Sequence, residues 1–364
     1  MTPNILSAFS QTYAEARDKF LATAMAKGLN VESIVHPTER GAQGEDLAVD
    51  VAFFGPTDAT SLLFVISGTH GAEGFCGSGA QIALLNEPAI AAAVDKNGVA
   101  ILYYHALNPY AFSHLHRTNE DNIDMNRNFR DFSRPIPRNT AYSEVHEFIV
   151  PKTWPPSREN EGRMAAYIAA KGQAALQQAV TGGQCDYADG LFYGGNKPAW
   201  SNTVFRDVLR RYAASRRRLA WIDFHTALGP YGHGEKIFSG PNDRAMIDRA
   251  KKWWGIDVTS FYDGSSTSAE LTGVNYQAPL AECPGVESTG IALEYGTLPL
   301  LQVLQALRAD QWLRNHPEAE AATRTAIKRQ VRDAFYCDAD DWKGMVYGQA
   351  RAAMLQALQG LSAK

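Results

Sequence analysis

The sequence of 364 residues has few cysteines, no excess of charge of one sign and no long apolar run. Its four cysteines lie far apart and form no C-x-x-C pair, which argues against a disulfide framework and against a cysteine-rich metal site. The formal net charge is -4, and acidic and basic residues are interspersed. Neither a nucleic acid nor a membrane surface is therefore expected as a partner, and a small molecule is favoured instead.

The same scarcity of apolar runs bears on the location of the protein. No stretch reaches the roughly 18 apolar residues of a membrane span, and the N-terminus lacks a basic segment followed by a continuous apolar one. Cysteines without a pairing pattern fit a reducing compartment. These features together predict a soluble protein of the cytoplasm.

Short apolar runs alternate with longer amphipathic stretches, which is typical of a sheet covered by helices on both faces. The runs are almost continuously apolar, as expected for strands that are buried on both sides. The sequence therefore predicts an α/β protein. The expected core strands are 62–67, 99–105, 219–224 and 291–295, and the expected helices are 78–95, 202–215, 243–254 and 299–315.

Two segments differ from this alternation. Residues 130–160 are rich in proline and predict a long excursion from the sheet, either a cover over an active site or a plain surface insertion. The residues after Arg314 form helical segments rich in alanine and glutamine. We expect a catalytic domain over residues 1–320, which includes the excursion, and a helical C-terminal appendage over residues 321–364.

The segment S-G-T-H-G-A-E begins where a predicted buried strand ends, and it supplies His70 and Glu73. Small residues in this segment allow the tight turn that would bring the two side chains together. Imidazole nitrogens and carboxylate oxygens are good zinc ligands. By itself H-x-x-E is a weak motif, and a histidine that merely lies near a glutamate explains it better.

A second histidine, His225, also follows directly from an apolar strand, in the segment W-I-D-F-H-T. Ligands of open α/β sheets bind beyond the carboxyl ends of the strands, so His70 and His225 should project into one place. A core histidine at a strand end is the alternative. Two histidines at equivalent positions, one with a carboxylate three residues on, favour a site for one zinc ion held by His70, Glu73 and His225.

Glu294 lies within an otherwise apolar strand, in A-L-E-Y-G-T. A carboxylate there is costly unless a charged group compensates it. A zinc ion with its water would do so, and Glu294 could then accept a proton from the water and later give it to a leaving amine. A buried pair with an arginine is the alternative interpretation.

Two arginine motifs lie between these segments, R-T-N-E at Arg117 and D-M-N-R-N-F at Asp124. Guanidinium groups bind carboxylates and stabilise oxyanions, which suits a substrate with a free carboxylate beside a scissile carbonyl. Either arginine could also be a surface cation. Asp124 could orient His70 through the second nitrogen of its ring.

Together these motifs carry a resemblance to the zinc carboxypeptidase clan, which includes metallocarboxypeptidases, succinylglutamate desuccinylase and aspartoacylase. The chain resembles more narrowly an uncharacterised bacterial branch of that clan. The matching segments occur in the family's order and cover about residues 60–300. They are H-G-A-E at His70, N-P-Y-A-F at Asn108, R-T-N-E at Arg117, D-M-N-R-N-F at Asp124, D-F-H-T at Asp223 and A-L-E-Y-G at Glu294.

The resemblance implies a mixed, mostly parallel, twisted sheet of about eight strands sandwiched by helices. It also implies that His70, Glu73 and His225 bind zinc, and that Glu294 acts as general base and then acid. Arg117 would polarise the scissile carbonyl, and Asn126 and Arg127 would hold the terminal carboxylate of the substrate. The family's mobile tyrosine has no decisive match, and the candidates are Tyr231, Tyr262 and Tyr276.

Several functions stay open at this point. The substrate of such a zinc hydrolase would be a small peptide, as for a carboxypeptidase, or an N-acyl amino acid, as for a deacylase. A non-catalytic zinc-binding protein with the same fold is a third possibility. A serine or cysteine hydrolase built on Ser78 or Cys76 is disfavoured, because the sequence around them forms no G-x-S-x-G elbow.

Overall fold

The computed structural model describes residues 5–136 and 138–362 of the chain. Its strands are β1 (Asn30–Arg40), β2 (Asp46–Phe54), β3 (Ser61–Ile66), β4 (Ala100–His105), β5 (Arg218–Tyr231), β6 (Gly234–Phe238) and β7 (Glu287–Gly296). They form one sheet in the order β1-β2-β4-β3-β5-β7-β6. The three central pairs, β4–β3, β3–β5 and β5–β7, are parallel, whereas the outer pairs β1–β2, β2–β4 and β7–β6 are antiparallel.

Helices connect these strands and cover the sheet. They are α1 (Tyr13–Ala26), α2 (Gly74–Leu85), α3 (Pro88–Asn97), α4 (Pro109–His114), α5 (Thr140–Ile149), α6 (Arg158–Lys171), α7 (Gln173–Thr181), α8 (Trp200–Tyr212), α9 (Arg244–Trp254), α10 (Gln277–Glu282), α11 (Leu300–Asn315), α12 (Ala321–Phe335) and α13 (Asp340–Ser362). In the part of the chain that is described, no helix combines the length and the apolar character needed to cross a bilayer.

The predicted α/β class is confirmed. The described residues form seven strands where about eight were expected, and the four predicted core strands correspond to β3, β4, β5 and β7. Every residue of β3 and β4 is buried, which explains why these runs are apolar without alternation. Three parallel central pairs align the carboxyl ends of β3, β5 and β7 at one edge of the sheet, where the predicted site residues lie.

The two faces of the sheet are covered by different helices. On one face, Phe205 of α8 packs on Phe64 and Tyr104, with ring centroids 5.2 Å apart in both pairs. On the other face, α2 comes so close to β5 that a Cβ atom on Gly77 would lie 3.1 Å from the Cβ of Phe224. The sheet is thus buried between helices as the sequence predicted.

The C-terminal segment, expected as an appendage over residues 321–364, contributes α12 and α13. Indole N–H groups bond α13 to its surroundings: Trp254 donates to the Ala353 carbonyl at 3.0 Å, and Trp342 donates to the Gly296 carbonyl at 3.0 Å. The Tyr295 hydroxyl donates to the Val346 carbonyl at 3.1 Å. Buried side chains of α13 therefore belong to the main core around the sheet.

A second group of buried apolar side chains lies outside the main core, and we call it the helical core. It joins α5, α6 and α7 to α11 and α12. The proline-rich excursion expected at residues 130–160 contains α5 and the beginning of α6, and α7 follows it. This excursion is thus packed against α11 through the helical core. Its members include Tyr142, Phe148, Met164, Leu176, Val180, Phe192, Val303, Leu307, Val331 and Phe335.

Candidate metal centre and active site

The turn between β3 and α2 brings His70 and Glu73 to the carboxyl edge of the sheet. Gly68 has a φ of +65°, and a Cβ atom there would lie only 2.6 Å from the Cβ of Ala106. At Gly71 a Cβ atom would lie 2.0 Å from the carbonyl carbon of Ala111. Both positions therefore require glycine, because any side chain would push the turn away from the neighbouring backbone.

His225 and Glu294 reach the same edge on neighbouring strands. They are directly opposite each other in the parallel register of β5 and β7. One step along the sheet, Ile66 at the end of β3 is opposite Asp223 of β5. Sequence patterns predicted this convergence from the ends of the strands alone, and the register brings it about.

Two histidines and one glutamate form a compact buried group. The Nδ1 atom of His70 lies 2.8 Å from Glu73 Oε1, and the Nδ1 atom of His225 lies 3.0 Å from Glu73 Oε2. One ligand atom from each of the three residues lies within 4.8 Å of the others. This donor set is typical of a catalytic zinc site that keeps a position for water.

The second ring nitrogen of each histidine faces a carboxylate. His70 Nε2 lies 3.2 Å from Asp124 Oδ1, as the sequence predicted, and His225 Nε2 lies 2.7 Å from Asp223 Oδ2. A carboxylate on the far nitrogen fixes the tautomer that leaves Nδ1 free to bind a metal. Asp223 is itself held by the Thr69 hydroxyl at 2.9 Å and by the Asn275 side-chain amide at 2.6 Å.

The charges of the group favour a cation. Burial alone would raise the pKa of Glu73, but His70 and His225 outweigh burial and hold this pKa well below its usual range. Burial would lower the pKa of His225, but Asp223 and Glu73 raise it well above the ordinary histidine value. Glu73 is thus held in its ionised form between two imidazoles, and such a donor set fits a divalent metal ion.

Glu294 lies beside this group with a different electrostatic environment. Burial and the negative charge of Glu73 raise its pKa to about 8. Its Oε1 accepts a hydrogen bond from the backbone N–H of Leu228 at 2.9 Å, which fixes the orientation of the carboxyl group. A carboxyl with a raised pKa in a cleft has the property expected of a general base that later acts as an acid.

Arg117 is the cation nearest to the candidate ligands. Its guanidinium donates to Asp124 Oδ2 at 2.9 Å and to Glu73 Oε1 at 3.2 Å, and its Nη2 atom lies 2.9 Å from His70 Nε2. The same guanidinium lies 4.6 Å from the ring centroid of Phe192. The structure therefore brings Arg117 into the site, within reach of a group bound beside the metal ligands.

Asn126 and Arg127 also line the cavity, and some of their polar atoms already have protein partners. Asn126 Oδ1 accepts from the backbone N–H of Asn275 at 3.0 Å. Arg127 donates to the Asn126 carbonyl at 2.7 Å and, through two nitrogens, to the Thr181 carbonyl at the end of α7. Three of its five N–H groups are thus in use, and two stay available.

The three candidate tyrosines occupy different places. Tyr276 is buried and lines the cavity. Tyr262 donates its hydroxyl proton to the Gly240 carbonyl at 3.0 Å, and Tyr231 is 45% exposed with its hydroxyl bonded to Asp341 at 3.1 Å. Tyr276 is therefore the candidate that lines the same cavity as the three metal-ligand candidates.

The residues of the serine or cysteine hydrolase alternative lie elsewhere. Cys76 and Ser78 are buried within α2, and neither lines the cavity. Burial raises the pKa of the Cys76 thiol well above its usual value. Ser78 bonds to His105 Nε2 at 2.8 Å, and that imidazole is stacked on Phe20 inside the core. Neither side chain is placed to attack a substrate.

Sequence reasoning did not identify Asp223 and Asp310 as parts of the site. Asp223 lies two residues before His225 on the same strand, so strand alternation could have placed both on one face. Asp310 of α11 accepts from the backbone N–H of Arg117 at 3.2 Å and lies 2.7 Å from His116 Nδ1. No sequence pattern indicates that contact, because it joins segments almost 200 residues apart.

The contact between Asp223 and His225 leads to a prediction. In Asp223→Asn the ring nitrogen of His225 loses its charged partner, so we expect zinc affinity to fall about 10- to 100-fold. A competition titration against a chelator of known affinity measures this change. Asp248→Asn, which removes a partly exposed partner of Arg244 on α9, is the control and should leave the affinity unchanged. Equal affinities in Asp223→Asn and wild type would contradict the orienting role.

Comparisons with known proteins agree with this description. The fold is of the α/β class, and the site is a buried group of two histidines and a glutamate that could hold a metal ion. The chain belongs to the family described as "Protein of unknown function (DUF2817)", which matches residues 9–349. No curated protein matches the chain in sequence.

Solved structures similar to this chain include carboxypeptidases, as the resemblance in the sequence predicted. Bovine thrombin-activatable fibrinolysis inhibitor is 12% identical with a TM-score of 0.47, over 97% of this chain and 98% of that chain. Carboxypeptidase A from Helicoverpa armigera is 12% identical with a TM-score of 0.45, over 89% and 74%. A metallo-carboxypeptidase from Burkholderia cenocepacia is 12% identical with a TM-score of 0.43, over 89% and 69%. Likenesses at this level carry no activity over to this chain.

Proposed function

We propose that this protein is a zinc-dependent hydrolase that cleaves an amide bond next to a free carboxylate, as a carboxypeptidase-type peptidase acting on small peptides. One observation carries the proposal. The Nδ1 atoms of His70 and His225 converge on the two oxygens of Glu73 while carboxylates hold both far nitrogens. This arrangement supports zinc binding by these three residues.

Zinc bound by these residues would supply Lewis acidity and acidify a water molecule. Glu294 accepts a proton from the attacking water, whose oxygen forms the new bond to the carbonyl carbon. Glu294 then gives this proton to the amide nitrogen as the C–N bond breaks, which yields a carboxylic acid and an amine. The pKa of Glu294, raised to about 8, suits the return of the proton.

Arg117 is proposed to donate hydrogen bonds to the carbonyl oxygen as negative charge develops on it. Its position supports this role, because its Nη1 and Nη2 atoms lie 3.2 Å from Glu73 Oε1 and 2.9 Å from His70 Nε2. Asn126 and Arg127 would bind the free carboxylate of the substrate. For Arg127 this uses the two N–H groups that its bonds to Asn126 and Thr181 leave available.

The test is a set of dipeptides and N-acyl amino acids, each offered as the free acid and as the corresponding C-terminal amide. Zinc-loaded protein is expected to hydrolyse free acids, and to turn over the amides at least about 100-fold more slowly, since the charge-assisted bonds to the carboxylate are lost. Release of free amine measures both rates. Hydrolysis of neither series by zinc-loaded protein would overturn the proposed function, and equal rates would overturn the role of the carboxylate.

A further inference from the structure

Two walls of different origin enclose the cavity above the metal ligands. Phe238, Leu271, Val274 and Tyr276 form the first wall, and they belong to the main core around the sheet. This wall adjoins the proposed carboxylate site, since the backbone N–H of Asn275 donates to Asn126 Oδ1. The carboxylate site also borders the end of α7, because Arg127 donates to the Thr181 carbonyl. The leaving half of a substrate, which carries the carboxylate, would therefore lie between the first wall and the end of α7, away from α11.

The second wall comes from helices outside the sheet, and we call it the α7–α11 wall. It consists of Leu176, Val180, Leu300, Leu301, Leu304 and Leu307. Spacings of three and four residues place these side chains on one face of each helix. No charged side chain of α7 or α11 lines the cavity in the described residues. The α11 part of the wall is thus apolar, whereas Gln173, Gln177 and Thr181 of α7 also line the cavity. Leu228, whose N–H holds Glu294, lines the same cavity.

Part of this apolar surface is left uncovered by the protein. Leu301 is 44% exposed and Leu300 is only half-buried, although both lie in the first turn of α11. Leu304, one turn further on, is half-buried and packs with one side against the helical core. Val303 and Leu307 on the same helix are buried in the helical core. Apolar side chains left uncovered beside a catalytic group indicate that an apolar part of a ligand covers them.

The wall is held firmly. Arg308 of α11 is fully buried and donates to the Phe148 and Ile149 carbonyls of α5 at 2.9 and 3.3 Å, and to Glu161 of α6 at 2.8 Å. These charge-assisted bonds tie α11 to α5 and α6. The helical core packs α7 against the same helices, so α7 and α11 belong to one packed cluster.

Hydrogen bonds also bridge the cavity from α7 to the loop that follows α9. Gln177 donates to the Thr267 carbonyl at 3.0 Å, and Gln178 donates to the Glu270 carbonyl at 3.1 Å. Leu271 of the same loop lies in the first wall. A long polypeptide that extended past the site would have to displace this bridge, so a short substrate fits better.

We propose that the α7–α11 wall binds an apolar acyl group on the carbonyl side of the scissile amide, so that N-acyl amino acids with an aliphatic acyl chain are the preferred substrates. This inference rests on the proposed hydrolysis of an amide beside a free carboxylate, and it names N-acyl amino acids, rather than small peptides, as the preferred substrate class. The carboxylate lies near Asn126 and the acyl chain lies against Leu301 and Leu304. Water attack on the amide then releases the fatty acid and the free amino acid.

The test compares N-acetyl, N-butanoyl, N-hexanoyl and N-octanoyl derivatives of one amino acid with zinc-loaded protein. Each buried methylene favours binding about fourfold, so kcat/KM should rise about 100-fold or more from acetyl to hexanoyl. Leu304→Asn should lower kcat/KM for the hexanoyl compound far more than for the acetyl compound, and so abolish most of this rise. Leu301→Asn, at an exposed position, should reduce the dependence of kcat/KM on chain length by a smaller factor. Leu6→Asn is the control at an exposed leucine outside the cavity.

The outcomes separate the two proposals. Equal kcat/KM for all chain lengths would overturn the acyl site while leaving the hydrolase intact. If Leu304→Asn and Leu301→Asn lower kcat/KM by the same factor for every chain length, the acyl site is overturned as well, because the two leucines would then act on the fold alone. If neither these compounds nor dipeptides are hydrolysed, the proposed function fails and the acyl site falls with it.

Discussion

Replacing Glu294 with glutamine is expected to lower kcat about 1000-fold while one zinc ion per chain is retained. The loss of a general base and acid typically costs 10²- to 10⁴-fold, and the amide of glutamine cannot accept the proton of water. Glutamine can still accept the hydrogen bond from the Leu228 N–H, which is 2.9 Å from Glu294 Oε1, so the strand should keep its geometry. Steady-state kinetics and metal analysis of the same preparation measure the two quantities.

The control for this variant is Glu282→Gln, which changes a glutamate that pairs with Arg206 and Arg210 on the surface of α8. Its kcat should equal that of wild type. Unchanged kcat in Glu294→Gln would remove Glu294 from the mechanism. A wild-type protein that binds zinc and turns over no substrate would instead indicate a non-catalytic zinc-binding protein, the other function that the sequence left open.

The reason to expect a large effect is the environment of this carboxyl group. Burial and the charge of Glu73 raise the pKa of Glu294 to about 8, so the protein holds a proton acceptor of unusual basicity next to the candidate ligands. Positive charge at the ligands would favour the ionised form of Glu294 and lower this pKa. The same carboxyl can then exchange a proton with water and with the leaving nitrogen at neutral pH.

The sequence predicted the centre of the sheet better than its margins. The four predicted core strands exist because continuous apolar runs between helical patterns have few other structures available. β1 was not predicted, because it is a largely exposed edge strand and contains Pro37, a residue that is unusual within a strand. β6 has only five residues, too few to show a period.

The candidate site could be predicted as far as it depends on the ends of strands. His70, Glu73, His225 and Glu294 meet because β3, β5 and β7 are parallel neighbours, and two strand-end histidines were enough to indicate this. The orienting contact of Asp124 with His70 was also predicted. The contacts of Arg127 with Thr181 were not, since they join a motif to the end of α7, more than 50 residues further along the chain.

The shape of the cavity could not be predicted from the sequence, because its α7–α11 wall combines two helices that are distant in the chain. Leu176 on α7 and Leu304 on α11 are more than 120 residues apart, and each fits an ordinary amphipathic helix by itself. They form one wall only because the helical core and Arg308 hold the two helices together. Periodicity reports which face of a helix is apolar, but not what that face contacts.

Replacing His225 with alanine is expected to abolish stoichiometric zinc binding and to reduce turnover to the uncatalysed background. Two ligands, His70 and Glu73, would remain, and a zinc site with one protein ligand missing binds far more weakly. Zinc at about 1000 times its dissociation constant should stabilise wild type by about 4 kcal/mol, and chelation should reverse this gain. The variant should show no such gain.

Metal analysis, kinetics and thermal unfolding with and without zinc measure these three effects on one preparation. His233→Ala is the matched control, because His233 is exposed and lies outside the group of candidate ligands, so its zinc content and stabilisation should equal those of wild type. Loss of turnover with full zinc content in His225→Ala would show that the metal is held by other residues.

Because the variant also leaves Asp223 and Glu73 without their imidazole partner, its stability without zinc should fall below that of metal-free wild type. The zinc-dependent gain in stability, rather than the absolute stability, therefore identifies His225 as a ligand.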